Sequence, residues 1–290
     1  MSVGRPAALL LALVLAVLVP AGSAGCSTHT GNRHPELIVG STPDSESRLL
    51  AHIYVAALRS YGFAARTETA ADPMAKLDSG EFTVVPSLTG KVLQSLKPGV
   101  AVTSDSQVYR VMISMLPEGI VAGDYTISAE DKPALVVTHA TTAAWGGSDL
   151  TALANHCDGL VVGIVATAAA PPVVGSCRMP APREFPDGTA MLAALRAGEL
   201  TAAWTTTADP GIPTDLVVLT DVKPPLIQAE NVVPLYRRNA LSNRQLLALN
   251  EVAGVLDTAA IADMRRQVAG GADPQAVADG WMSEHPLGRS

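Results

Sequence analysis

Apolar positions alternate between two periods along this chain: short continuous runs, and longer stretches with helical spacing. Leu37-Ile38-Val39-Gly40 reads as a short buried strand, and Ser41 to Ser45 after it are mostly polar. From about Glu46 to Ser60, Leu49, Leu50, Ile53, Tyr54, Ala57 and Leu58 fall on one helical face, which places Tyr54 in a core. Asp44 or Ser45 caps that helix. A helix ending Lys76 to Gly80 then leads through Glu81 to the strand Phe82–Val85 and the loop Pro86–Gly90. The same grammar returns at Ala194 to Gly198, Glu199, the strand Leu200–Trp204 and the polar loop Thr205–Thr207. This echo predicts two similarly built α/β lobes.

Between the echoes, Val108, Met112, Met115 and Leu116 predict a helix from Asp105, stopped by Pro117 and Gly119. A strand at Ile120-Val121 follows, and Ala134–Val137 is another. Ala129–Pro133 between them reads as a crossover between lobes or as an ordinary polar turn. Ala140–Trp145 is a helix stub, Ser148 caps a short helix through Leu153, Leu160–Val165 is a strand, and Asp187 caps a helix over Gly188–Ala197. Leu216–Leu219 reads as a buried parallel-type strand, followed by the turn Asp221–Pro225. Gln228, Glu230 and Asn231 then stand at the entry of Val232-Val233, where a core segment would be apolar, so a hydrogen-bonding role is expected. Ser242 caps a helix to Leu256, Thr258–Val268 forms a second, and Asp273-Pro274 opens a third through a buried Trp281. The expected division is lobe 1 from residues 36–130 and 216–290, with lobe 2, residues 131–215, inserted.

The first residues add a compartment. Arg5 followed by the apolar run Ala7 to Val19 has the layout of a secretory signal over residues 1–25, too short to span a bilayer comfortably. Ser23-Ala24-Gly25-Cys26 reads as a lipobox, with Cys26 as lipid acceptor (palmitate-type acyl chains) and residues 26–35 as a tether to the outer face of the cell membrane. Net charge is −7 and falls further when Arg5 leaves, which disfavours nucleic acid as a partner. With Cys26 lipidated, Cys157 and Cys177 remain as a pair in an oxidising location, and a disulfide is expected. Neither has a partner at metal-site spacing, and no cofactor or metal is expected. Hydrolase, metalloprotease, P-loop and dinucleotide signatures are absent from the sequence, so it is not read as an enzyme.

Asp215 to Lys223 followed by Gln228 to Arg238 resembles the crossover segment of substrate-binding lipoproteins from osmoprotectant (glycine betaine, choline, proline betaine) ABC importers. The likeness extends loosely from Leu37 to Leu287, including Thr206-Thr207-Ala208-Asp209-Pro210 and the closing helix at Asp273–Trp281. It implies a two-lobed, type II periplasmic-binding-protein-like α/β fold with two hinge crossings. It also implies a monomer that captures a quaternary amine or betaine between the lobes and delivers it to an ABC permease. In open sheets, ligands lie beyond the carboxyl ends of strands. The candidate ligand residues are therefore Ser41, Thr42 and Asp44; Ser87, Leu88 and Thr89; Asp131; Trp204, Thr205 and Thr206; and Glu230 and Asn231. Each also has a reading as a cap or turn residue. The free amides at the first helix start read as a seat for a carboxylate. Leu88 stands where many relatives carry Tyr, and of three Trp, five Tyr and three Phe only Trp204, Tyr125 and Tyr236 remain for a cation. That shortage opens a second reading, a polyol, sugar or amino acid derivative as ligand; a separate alternative is a cell-surface sensor that keeps the fold without transport.

Overall fold

Two five-stranded mixed sheets organise the chain in the computed structural model, which describes residues 36–288. The leader and Cys26 lie outside the described residues. The chain first runs β1 (Leu37–Ser41), α1 (Ser45–Ser60), β2 (Ala65–Thr69), α2 (Pro73–Ser79), β3 (Val84–Leu88), α3 (Thr89–Leu96), α4 (Asp105–Met115) and β4 (Ile120–Ala122). It then crosses to β5 (Pro133–Thr138), α5 (His139–Trp145), α6 (Leu150–Leu153), β6 (Val162–Val165), β7 (Val173–Val174), β8 (Cys177–Arg178), β9 (Arg183–Phe185), α7 (Gly188–Arg196), β10 (Ala202–Thr206) and β11 (Leu216–Val218). It returns with β12 (Val232–Arg237), α8 (Asn243–Val255), α9 (Thr258–Ala269) and α10 (Pro274–Glu284). The sheet orders are β2-β1-β3-β12-β4 and β11-β5-β10-β6-β9.

Helix α1 is the centre of the first lobe. Asp44 caps it by accepting from the Ser47 amide at 2.9 Å, and its buried residues run from Leu49 through Leu58. They share one core with Val39, Val84, Leu249, Ile261, Trp281 and Met282. Each such Leu or Ile contributes about 1.5–3 kcal/mol by leaving water, so α1 is held by packing far more than by its caps. The second sheet has its own two cores, with Leu135, Val137 and Trp204 on one face and Val136, Ala203 and Leu195 on the other.

Several expectations shift. Leu216–Val218 is not a parallel strand of the first lobe: β11 pairs antiparallel with β5 at the edge of the second sheet, so the return crossing follows it. The run reads as a core strand because its side chains pack on both cores of the second sheet, Val217 on one and Leu216 and Val218 on the other, and apolar content does not report strand direction. β3 begins at Val84 and extends through Pro86, which faces Pro234 of the neighbouring strand, so the loop expected at Pro86–Gly90 is strand end and helix start. Phe82, expected in that strand, lies flat on Gly40: a Cβ there would sit 2.0 Å from its ring. Asp149, rather than Ser148, caps α6. Cys157 and Cys177 are bonded, with Cα atoms 5.4 Å apart, which ties the end of α6 to the small β7–β8 hairpin.

Candidate functional site

The two crossings run side by side. The Asp131 amide donates to the Glu230 carbonyl at 3.0 Å, and Glu130 and Asn231 form an antiparallel bridge. Charged side chains fasten them. Lys132 Nζ lies 3.2 Å from Glu130 Oε1 and 3.1 Å from Asp221 Oδ2, and the Lys132 and Asp221 side chains are 9% and 4% exposed. Asp221 also accepts from the amides of Leu226 at 2.8 Å and Ile227 at 3.2 Å, which closes the turn before the second crossing. Asp131 joins both lobes: Oδ1 accepts from the Ala208 amide beyond β10 at 2.9 Å, and Oδ2 accepts from Arg265 of α9 at 2.6 Å.

A group of carboxylates converges beside this junction. Lys91 Nζ donates to Glu46 Oε2 at 2.6 Å, and the Lys91 amide, in the first turn of α3, donates to Glu230 Oε2 at 2.8 Å. Gly90 permits this approach, since a Cβ there would meet the Ala229 carbonyl and Glu230 Oε1 at 2.7 Å. Burial pushes Glu46 up to about 7, and the facing Asp131 adds to it against the pull of Lys91. Burial likewise pushes Glu230 up to about 7, opposed by the Lys91 amide and ammonium. Asp131 goes the other way: burial would raise it, but hydrogen bonding from Glu46, the Arg265 charge, the Thr206 hydroxyl and the Ala208 amide hold it below the usual carboxylate range. Glu46 Oε1 is buried with no donor, which fits a proton carried by Glu46 toward Asp131.

Two cavities flank Glu230 and the start of α3. The smaller, about 220 Å³, lies on the first lobe and is lined by Thr42, Asp44, Glu46, Ser47, Leu50, Pro73, Met74, Val85, Pro86, Ser87, Leu88 and Lys91. The larger, about 650 Å³ and mainly apolar, is bounded by Gln94 and Gly99–Thr103 of the first lobe, Ala169–Val173 of the second, and Pro225–Gln228 with Glu230 of the return crossing. Among the described residues, no aromatic side chain lines either cavity.

The sequence candidates therefore separate. Thr42, Asp44, Ser87 and Leu88 line the smaller cavity, and Glu230 borders the larger one. Ser41 is buried against the Thr69 hydroxyl at 3.2 Å. Thr89 accepts from the Asn231 amide at 3.1 Å, and Asn231 Nδ2 donates to the Thr126 carbonyl at 2.9 Å, so both stitch the crossing to the first sheet. Asn231 Oδ1 is buried without a partner, and the buried Thr206 hydroxyl faces Asp131. Thr205 bonds Asp209. Trp204 is 4% exposed in the core of the second lobe, bordering a separate hollow under the Ala/Pro-rich loop Ala166–Pro172. Tyr125 packs at a tilt against Tyr109 with centroids 4.7 Å apart, and Tyr236 packs on the first core. Sequence reading missed Glu46, Ser47, Met74 and Lys91. Glu46 looked like an ordinary first-turn acid, and Lys91 belongs to a helix hidden behind Pro86 to Gly90.

Two α/β lobes, two adjacent crossings and cavities at the junction define a two-lobed solute-binding fold of the type II periplasmic class. Residues 35–284 match the OpuAC family, described as the substrate binding domain of the ABC-type glycine betaine transport system, and the chain belongs to that family. Solved structures agree in fold. A glycine betaine/carnitine/choline ABC transporter structure is 16% identical, with a TM-score of 0.71 over 86% of this chain and 98% of that one. Apo YehZ from Escherichia coli is 17% identical, with a TM-score of 0.68 over 87% and 99%. A choline binding protein of an ABC transporter, in complex with choline, is 16% identical, with a TM-score of 0.52 over 87% and 89%. No curated protein sequence matches the chain significantly.

Proposed function

We propose that this protein is an extracytoplasmic solute-binding lipoprotein, held at the outer face of the cell membrane through Cys26. It captures a small osmoprotectant-like ammonium solute between its lobes and delivers it, as a monomer, to an ABC permease. The observation that carries this reading is the junction itself. Glu130 to Lys132 and Thr220 to Asn231 form a paired strap between two separately cored sheets, with the cavities opening beside it. Two short connections of this kind permit hinge closure around a ligand.

The test combines small-angle scattering with thermal unfolding across betaines, choline, amines, amino acids and polyols. A true ligand contracts the radius of gyration and raises Tm; at a hundredfold excess over Kd the stabilisation is about 2.7 kcal/mol, a rise of several degrees. A panel in which no solute does both removes the proposal. Anchoring is tested separately: Cys26→Ala should release the protein from the membrane fraction of its host, and retention there would argue against the lipid.

A further inference from the structure

Resting on the solute-binding reading, we propose that the cleft selects a small protonated amine that carries N–H donors and no carboxylate, rather than a betaine or a fully methylated ammonium.

The first observation is what the cavities lack. A quaternary ammonium cannot donate a hydrogen bond and is held by aromatic faces. Neither cavity has one: Leu88 fills one wall, and Trp204, Tyr125 and Tyr236 are spent in cores or on other rings.

The second is what occupies the seats a ligand carboxylate would need. Helix N-termini are ready sites for anions. Both that face the smaller cavity are filled from within the chain, α1 by the Asp44 carboxylate on the Ser47 amide and α3 by the Glu230 carboxylate on the Lys91 amide. Among the described residues the one cation lining either cavity, Lys91, is already joined to Glu46. A betaine would bring its carboxylate against Asp44 and Glu46, with both helix N-termini already taken and only the Lys91 ammonium and the serine and threonine hydroxyls left as donors.

The third is what remains on offer. Asp44 and Glu46 line the smaller cavity together with the Thr42, Ser47 and Ser87 hydroxyls and outnumber Lys91 there, and Glu230 adds an acid at the border of the larger cavity. An ammonium with N–H groups makes charge-assisted hydrogen bonds to the Asp44 carboxylate, and to Glu46 and Glu230 where they ionise above about pH 7, at about 2.7–2.9 Å, closer than a shell of methyl groups allows. A hydroxyl on the same solute would meet the serine and threonine side chains. The ligand class is thus an amino alcohol or a similar small amine.

Calorimetric titration of the full mature protein decides this with four probes on related skeletons: dimethylethanolamine, choline, dimethylglycine and glycine betaine. Dimethylethanolamine should bind at least about ten-fold more tightly than choline, which differs by replacing the N–H with a methyl, and more tightly than either carboxylate-bearing probe. Asp44→Asn retains an N-cap residue, so the variant should fold, yet it should lose about ten-fold in dimethylethanolamine affinity. Glu46→Gln provides a second variant away from the cap and should weaken the same probe in titrations at about pH 8, where Glu46 is ionised. If choline or glycine betaine binds as tightly as dimethylethanolamine, the ligand class is wrong while solute capture stands. Binding of a polyol with none of the four probes binding overturns it in the same way, as does unchanged dimethylethanolamine affinity in both variants.

Discussion

Raising the pH from 5 to 8 should destabilise this protein through Glu46, and the size of the loss follows from the junction geometry. Glu46 titrates near 4.5 in the unfolded chain and at about 7 in the fold, because it is buried against Asp131 and compensated only by Lys91. Between those values the folded state holds a proton the unfolded state has released, so stability falls as pH rises through the window and the loss is complete above about 7. The displacement corresponds to an upper figure of about 3 kcal/mol. Glu230, raised for the same reason and facing Lys91 and Glu46, contributes a further loss of the same sign. Asp131, held low by Glu46, Arg265, Thr206 and Ala208, works in the opposite sense and costs stability only as pH falls below the ordinary aspartate range. Glu46→Gln keeps the shape and an acceptor for Lys91 but cannot titrate. Urea unfolding followed by tryptophan fluorescence should show wild type losing about 2–3 kcal/mol more than Glu46→Gln between pH 5 and pH 8. Parallel pH dependence in the two proteins would refute a shared proton at this junction.

Three further perturbations test the frame around the cleft. Asp221→Ala removes the buried partner of Lys132 and the acceptor for the Leu226 and Ile227 amides, and urea unfolding should register a loss of about 3–5 kcal/mol. Replacing Cys157 and Cys177 together by serine opens a link across a sequence separation of 20 and should cost about 3 kcal/mol in unfolding free energy; intact-mass analysis after alkylation without reduction should find no free thiol at either position in wild type. Gly90→Ala drives a methyl into the Ala229 carbonyl and Glu230, and a thermal melt should show about 1–3 kcal/mol lost as the carboxylate is pushed off the start of α3.

Much of the fold was legible because periodicity and caps are local. The spacing of Leu49 to Leu58, the caps at Asp44, Asp187, Ser242 and Asp273, and the repeated helix-Gly-Glu-strand pattern required no knowledge of neighbours, and the helices formed close to those bounds. The polar trio Gln228, Glu230 and Asn231 was also visible as an exception to core composition, and each does hold hydrogen bonds at the crossing. Pairing direction was not local. Leu216–Val218 has the same composition whichever sheet receives it, and only its antiparallel ladder with β5 moved the return crossing beyond it. The cleft chemistry depended still more on tertiary placement. Nothing in sequence distance brings Glu46, Lys91, Asp131 and Glu230 together; burial in the assembled junction raises Glu46 and Glu230, while hydrogen bonds and the Arg265 charge keep Asp131 ionised against the same burial. Trp204 shows the same limit from the other side: its expected position at a strand end marked it for the cleft, but β10 runs on to Thr206, and the alternation that puts Ala203 in one core puts Trp204 in the other.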